Sequence, residues 1–398
     1  MTSSDHIGPD EGLRAKQGGP LAGVRVLELA GLGPAPFAGM VLADLGADVV
    51  QVDRPQREPS LADTPVLLRG KRSVVADLKS GLGRDLVLDL AQRADLLVEG
   101  FRPGVMERLG LGPQDCLARN PRLVYGRLTG WGQTGPLAPY AGHDINYIAP
   151  TGALASIVRD EADGRVPRPV PPSVLVGDLA GGTLHLVIGL LAALQSARAT
   201  GAGQVVDAAI VDGTAYLTTF ARALEAVGLW DRPPGHNILD TGAPFFEVYE
   251  CADQRHLAVG ALEDHFYAEL LRVLDLDLAD SDPRHPSRRS DPAAWPDAKD
   301  RWAALFATRS RDEWCALLEH SDACVSPVLT REEAVSHPHA AARDAYAQVG
   351  EQLLPAPAPR FSHTPTRPGR PTTTGADTEA VLRELGYDEE RIATLQSP

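Results

Sequence analysis

Three side chains stand where proton chemistry could be done. His143 lies in Gly142-His143-Asp144, just ahead of a helix start predicted at Ile145. The positive end of a helix favours a neutral imidazole, which can take a proton. A lone histidine in a glycine turn is more often structural, so the motif alone assigns no role. Asp178 lies in Gly177-Asp178-Leu179-Ala180-Gly181-Gly182, before a long apolar stretch. Aspartate there is a preferred helix N-cap, which would hold it ionised. Burial beside an apolar ligand would instead push its pKa up and let it deliver a proton. Glu263, in Gly260-Ala261-Leu262-Glu263, reads by itself as an acid at a helix start.

A second group is basic. Arg54, Arg57, Arg69, Lys71 and Arg72 crowd one stretch, and Arg102 and Arg108 flank a later strand-to-helix turn. In open α/β sheets, ligands bind beyond the carboxyl ends of the strands. Arginines there meet phosphates with bidentate geometry. The competing reading is a solvated loop with ordinary surface arginines. Gly31-x-Gly33 and Asp53 mimic a dinucleotide fingerprint, but Pro36 occupies the third glycine position and Arg54 follows the acid directly. The pair reads as a tight turn rather than an NAD site.

The elements that must hold these groups alternate. Residues 24–30 read as a buried strand, 37–45 as a helix and 47–52 as a second strand. Strands follow at 73–78, 95–99 and 123–128, with a helix at 82–93 between the first two. A long apolar helix opens at Asp178 and runs to about Arg198, before a strand at 205–211 and a helix at 214–229. Further on, 245–259 reads as two strands about a turn, and 263–275 and 292–320 as helical. Residues 280–292 and the proline-rich 355–371 read as loops, and 378–385 as a last helix; no internal repeat is visible. The fold class is α/β: a Rossmann-like parallel sheet in a large domain, plus a smaller α+β domain. The division is a disordered tail over 1–19, a large domain over 20–225 completed by 346–398, and a small domain over 226–345.

Composition narrows the function. The 398 residues carry a formal charge of −15, so a phosphate backbone is repelled at long range and no nucleic-acid partner is expected. Cys116, Cys251, Cys315 and Cys324 are scattered and show no Cys-x-x-Cys spacing, which suits reduced thiols and implies neither a disulfide framework nor a metal site. The first twenty residues hold no signal-peptide core, and the apolar run Leu186 to Leu194 is too short to span a bilayer. The expectation is a soluble cytoplasmic protein without a membrane partner.

Longer motifs bind these pieces together. Gly70-Lys71-Arg72-Ser73, Asp77-Leu78-Lys79, Glu99 to Val105 and Glu107-Arg108-Leu109-Gly110-Leu111 stand in order along the chain. With them, the sequence resembles the family III CoA-transferases over nearly its whole length. Gly142-His143-Asp144-Ile145-Asn146-Tyr147 resembles the α-methylacyl-CoA racemase branch, and Leu382 to Tyr387 resembles a familiar ending. The resemblance implies a CoA thioester substrate and no separate cofactor. Matching positions imply that Arg54, Ala76, Asp77, Leu78, Lys79, Gly100, Phe101, Arg102 and Arg108 hold its phosphates and pantetheine. Gly142, Ile145, Asn146 and Tyr147 would line the same ligand.

For the reaction, the resemblance implies that His143 and Asp178 flank the α-carbon as a pair of acid/base groups. The Asp144 N–H would receive the enolate oxygen, and Glu263, from either subunit, would orient the histidine. It also implies an interlocked homodimer. The rival branch is CoA transfer between carboxylic acids, with Asp144 as nucleophile. Against it, the glycine-rich loop of that branch should fall near 238–244, where only Gly242 stands. Asp240 to Pro244 and the charged stretch 158–169 depart from the racemase pattern, which bears on the acyl pocket.

Overall fold

The computed structural model describes residues 18–29, 31–55, 61–159 and 168–396. Arg57, residues 1–17 of the tail and 160–167 of the charged stretch lie outside the described residues. The chain forms two compact units. The first gathers the described residues within 1–151, 173–217 and 339–398, and the second those within 152–172 and 218–338.

The first unit is built on a six-stranded parallel sheet of β1 (Arg25–Leu29), β2 (Asp48–Asp53), β3 (Lys71–Val75), β4 (Leu96–Glu99), β5 (Val124–Thr129) and β6 (Gln204–Ala209). Their order is β3-β2-β1-β4-β5-β6. The order reverses direction between β1 and β4, and ligands of doubly wound sheets bind at the carboxyl ends beside that point. Apolar residues on both faces are what a sheet covered on both sides requires. Leu27, Val50, Val74 and Leu97 pack under α2 (Gly81–Arg93) and the helix Thr378–Glu384, which is not the last as expected but is followed by Glu389–Gln396, while Val26, Val49, Leu96 and Val124 face α1 (Pro34–Asp44).

Local chemistry sets the helix starts. Proline at the first position of α1 is pre-shaped for a helix, and Gly33 before it has φ 67°, a conformation that favours glycine. The Ser80 hydroxyl accepts the Gly83 N–H at 2.9 Å to start α2. Short helices α3 (Val105–Arg108), α4 (Pro113–Arg119) and α5 (Asp144–Ile148) follow β4 and β5; none of the three was visible as a periodic pattern, because each spans two turns at most.

The long apolar helix differs from expectation in two ways. It opens at Leu175 rather than Asp178, and residues 175–184 are wound in wide π turns before α6 (His185–Thr200) continues. As one helix of 26 residues, it is long and apolar enough to cross a membrane by length and composition, and well under half of it is buried. The run Leu186–Leu194 understated it because glycines and Thr183 interrupt the apolar signal without breaking the helix. β6 ends at Ala209, where α7 (Ile210–Leu217) begins, and the helix expected over 214–229 is two, the second being Thr219–Ala226.

The second unit carries a three-stranded antiparallel sheet, with His256–Gly260 between Phe246–Glu250 and Val325–Pro327. Its core is aromatic: Phe245, Tyr249, Tyr267, Trp295, Trp302, Phe306 and Trp314 pack against one another edge-on, tilted or, for Trp302 and Phe306, stacked.

Much of the basic cluster turns out to be structural. The Arg69 guanidinium grips buried Asp44 at 2.5 Å, and Arg72 pairs with Asp48 and Glu384, each at 2.8 Å. The Lys71 ammonium is fully buried and donates to Glu28 Oε1 at 2.9 Å, Gln51 Oε1 at 3.0 Å and Pro36 O at 2.9 Å. These three are not phosphate ligands, because each cation is spent on a carboxylate. Burial pushes the Glu28 carboxyl up to about 7, against the pull of Lys71. Lys71→Met would leave Glu28 without its cation and destabilise the first unit by about 3–5 kcal/mol. The loss, measured by urea denaturation, will be larger above about pH 7 than below it, since the raised Glu28 carboxyl takes up a proton at lower pH.

Candidate active site at the carboxyl end of the sheet

The cations that remain free lie along one rim. Arg54 follows β2, Lys79 follows β3, and Arg102 and Arg108 lie on the turn and short helix after β4; all four are exposed. None of them forms an ion pair among the described residues. Gly104, at φ 79°, makes the turn between the two arginines, and a Cβ on it would come 3.2 Å from the Arg108 guanidinium. Four positive charges without an ion-pair partner among the described residues, beyond the ends of β3, β2 and β4 in a chain of net charge −15, could meet an anionic ligand.

The residues between them sort by face. Asp77 is exposed, and its carboxylate accepts the Lys79 N–H at 3.0 Å, while Ala76 and Leu78 point into the core. Those two can offer a ligand only their backbone. Gly100 is exposed, whereas Phe101 packs against the core and its N–H donates to Glu99 Oε2 at 2.7 Å. Glu99 is buried against Arg127 at 2.8 Å, and burial raises its pKa to about 7.

His143 caps α5 and is exposed, with Asn146 Oδ1 accepting its N–H at 3.1 Å. Its carbonyl accepts the N–H groups of Asn146 at 2.7 Å and Tyr147 at 3.2 Å. Asp144 opens the helix, and no hydrogen bond among the described residues uses its N–H. Its side chain has another task. Asp144 is only 7% exposed, and Oδ1 accepts the backbone N–H of Asp178 at 2.7 Å. A Cβ on Gly177 would stand 2.3 Å from that same oxygen, so glycine lets the two segments meet. A carboxylate so placed ties the His143 turn to the segment that carries Asp178.

Asp178 is not an N-cap; it lies within the first turn of the wide helix, half-buried. Its carboxyl is raised to about 6, first by burial, then by the Asp144 charge, with His143 opposing. A Cβ on Gly33 would lie 3.7 Å from Asp178 Oδ2, which places the start of α1 beside this carboxyl. The Thr183 hydroxyl donates to Pro34 O at 2.8 Å and locks the two helices there. A carboxyl with a pKa of about 6 exists in both forms near neutrality, so it can give or take a proton. Histidine, raised aspartate and an unused N–H in one neighbourhood can move protons on a carbon acid.

Tyr147 adds to the neighbourhood: its hydroxyl donates to Gly142 O, and its pKa is raised by burial and then by Asp178, with Arg102 opposing. Ile145 and Asn146 are exposed on α5. Gly33, Gly177 and Trp131, which packs on Tyr147, were not singled out from sequence, because their parts depend on contacts across the fold. In the second unit, Glu263 is the exposed N-cap of the helix Asp264–Val273. There too, Asp240 organises its own turn by accepting the N–H groups of Gly235 at 2.8 Å and Asn237 at 2.6 Å. No cluster of metal-ligating side chains occurs among the described residues.

Comparison with known proteins identifies the family. The family described as CoA-transferase family III matches residues 21–378. An alpha-methylacyl-CoA racemase of Mus musculus is 46% identical over 382 residues, covering 95% of this chain and 96% of the relative. Its counterpart of the same name from Homo sapiens is 44% identical over 380 residues, with 95% and 96% covered. The crystal structure of a CaiB/BaiF family protein from Brucella suis superposes with a TM-score of 0.75 at 26% identity, over 93% of this chain and 100% of that one.

The holding role of Asp144 is open to test. Asp144→Ala strands the Asp178 N–H and will cost about 1–3 kcal/mol in denaturant titrations. Asp144→Asn keeps an oxygen acceptor and will cost less. In the Asn variant the carboxyl resonance of Asp178 will titrate below the value of about 6, because the charge that raised it is gone.

Proposed function

This chain belongs to CoA-transferase family III, and from that premise we propose that it is an α-methylacyl-CoA racemase, interconverting the (R) and (S) forms of 2-methylacyl-CoA thioesters. The observation that carries the reading is the Asp178 carboxyl, raised to about 6 and fixed beside the His143 turn by the Asp144 carboxylate. A racemase needs two groups that exchange roles, and a carboxyl of this pKa can serve as either acid or base. The names and coverage of the mouse and human relatives point the same way.

In the forward direction the His143 imidazole takes the α-proton of the (S) thioester. The electron pair of that C–H bond moves into an enolate, whose oxygen is received by the Asp144 N–H. Protonated Asp178 then delivers its proton to the opposite face, giving the (R) thioester, and ends as carboxylate beside imidazolium. The reverse reaction starts from that pair, with Asp178 as base and imidazolium as acid. Each turnover leaves the shared proton on the other partner, and exchange with solvent resets it. CoA is part of the substrate, so the chemistry needs no further cofactor. Its phosphates fall to the free cations Arg54, Lys79, Arg102 and Arg108.

We extend the proposal to a homodimer. Within the first unit, Leu175, Ile188 and Tyr216 are 63%, 63% and 71% exposed along the wide helix, α6 and α7. A second copy that covers them would account for so apolar a face. Sedimentation at micromolar concentration will show a dimer and no stable monomer.

In deuterium oxide the enzyme will exchange the α-proton of a 2-methylacyl-CoA without any acceptor acid; exchange that requires an acceptor acid would mark a transferase instead. His143→Ala will lose racemisation yet still exchange the (R) proton, at a rate that rises with pH as Asp178 ionises to act as base, with a midpoint above the parent value of about 6 because the lowering by His143 is gone. Arg102→Ala and Arg108→Ala will each weaken CoA binding by roughly tenfold and flatten its salt dependence. Unchanged affinity in both would place the phosphates elsewhere.

A further inference from the structure

Tyr147 sits in a slot built for its ring. A Cβ on Gly130 would lie 2.0 Å from ring carbons Cε1 and Cζ, and one on Gly142 would lie 2.5 Å from Cε1. Trp131 closes the slot edge-on, with ring centroids 4.9 Å apart and planes at 85°. The two glycines therefore serve the aromatic ring, and neither position could carry a side chain while the ring stays.

The slot delivers the hydroxyl to one place. Tyr147 donates to Gly142 O, the carbonyl of the peptide joining Gly142 to His143. The N–H of that same peptide donates to Asn146 Oδ1 at 3.1 Å. The next peptide is held through the His143 carbonyl, which accepts the N–H groups of Asn146 at 2.7 Å and Tyr147 at 3.2 Å. Both peptides flanking the histidine Cα are thus pinned, which fixes its backbone at φ −132° and ψ 173°. The imidazole itself is exposed, so the backbone is where its direction is set. Every anchor comes from the segment 142–147 or from the loop after β5.

We propose that Tyr147 and Asn146 are positioning residues for His143, holding the Gly142–His143 peptide from both sides so that the imidazole meets one face of the α-carbon. The Tyr147 hydroxyl is then an internal strut, not a ligand contact. Burial and the charge of Asp178 keep it protonated and able to donate. Asp178 is held by a different bond, to the Asp144 side chain of the same short helix, so removing the Tyr147 hydroxyl leaves that bond in place and acts first on the histidine. The kinetic part of this inference rests on the racemase reading; the structural part does not.

The test is Tyr147→Phe, with Asn146→Ala as a second variant that leaves the slot filled. Exchange of the (S) α-proton in deuterium oxide, which uses His143 as base, will fall on the order of tenfold, and racemisation with it. Exchange of the (R) proton through Asp178, KM and the Kd for free CoA will stay near the parent values. A rise in KM or in the Kd for CoA with kcat unchanged would make the hydroxyl a ligand contact and overturn the proposal. An equal fall in both exchange directions, or no change in either, would overturn it as well. If the parent protein exchanges neither proton, the racemase reading fails, and amide hydrogen exchange in the ligand-free protein decides the strut alone. The amides of His143, Asn146 and Tyr147 will then exchange faster in Tyr147→Phe than in the parent, and equal protection would refute the strut.

Discussion

A single hydrogen bond, from the backbone N–H of Asp178 to the Asp144 carboxylate at 2.7 Å, ties the two halves of the site together. One end belongs to the short helix that carries His143, the other to the first turn of the wide helix. The approach is possible only because residue 177 lacks a side chain. The same carboxylate adds its charge to the burial that raises Asp178, so one group serves as both tether and pKa adjuster. Its buried position suits both tasks.

The wide turns of residues 175–184 follow from close backbone packing. Gly181 has no room for a Cβ against Thr214 and Ile210, and a Cβ on Gly213 would collide with the Gly181 carbonyl. Glycines on both partners let this helix and α7 approach at backbone distance. Wide-turn segments inside helices recur at functional sites, and here the segment sets Asp178 within the helix, next to the start of α1. The aspartate therefore keeps a carboxyl that is not consumed by capping.

Charge is divided by depth. Arg69, Lys71 and Arg72 neutralise carboxylates in and around the sheet, while Arg54, Lys79, Arg102 and Arg108 stay exposed at its carboxyl end. The buried pairs contribute little net stability but are costly to break. The exposed cations can serve an anionic ligand because no neighbouring acid among the described residues has claimed them.

The amino-acid sequence by itself determined the alternation of β1 to β6 with helices, since buried parallel strands must be apolar on both faces and the turns between them need glycine or proline. It also determined the family, through motifs spaced along most of the chain, and with it the candidate residues His143, Asp144 and Asp178. It could not show that Lys71, one of a crowd of cations, is spent inside the fold: only the register of β3 on β2, and of β2 on β1, puts it against Glu28. Nor could it tell whether Asp178 capped a helix, because capping depends on where the helix starts, and that start was moved to Leu175 by packing between distant glycines. The short helix over 144–148 was legible as a start expected at Ile145, one residue late, but its extent was not, as five residues carry no periodic signal. Strand pattern and motif are local properties that a linear chain records. Ion pairing, helix onset and the raised carboxyl of Asp178 are decided by which groups meet across the fold, and only the tertiary structure specifies those meetings.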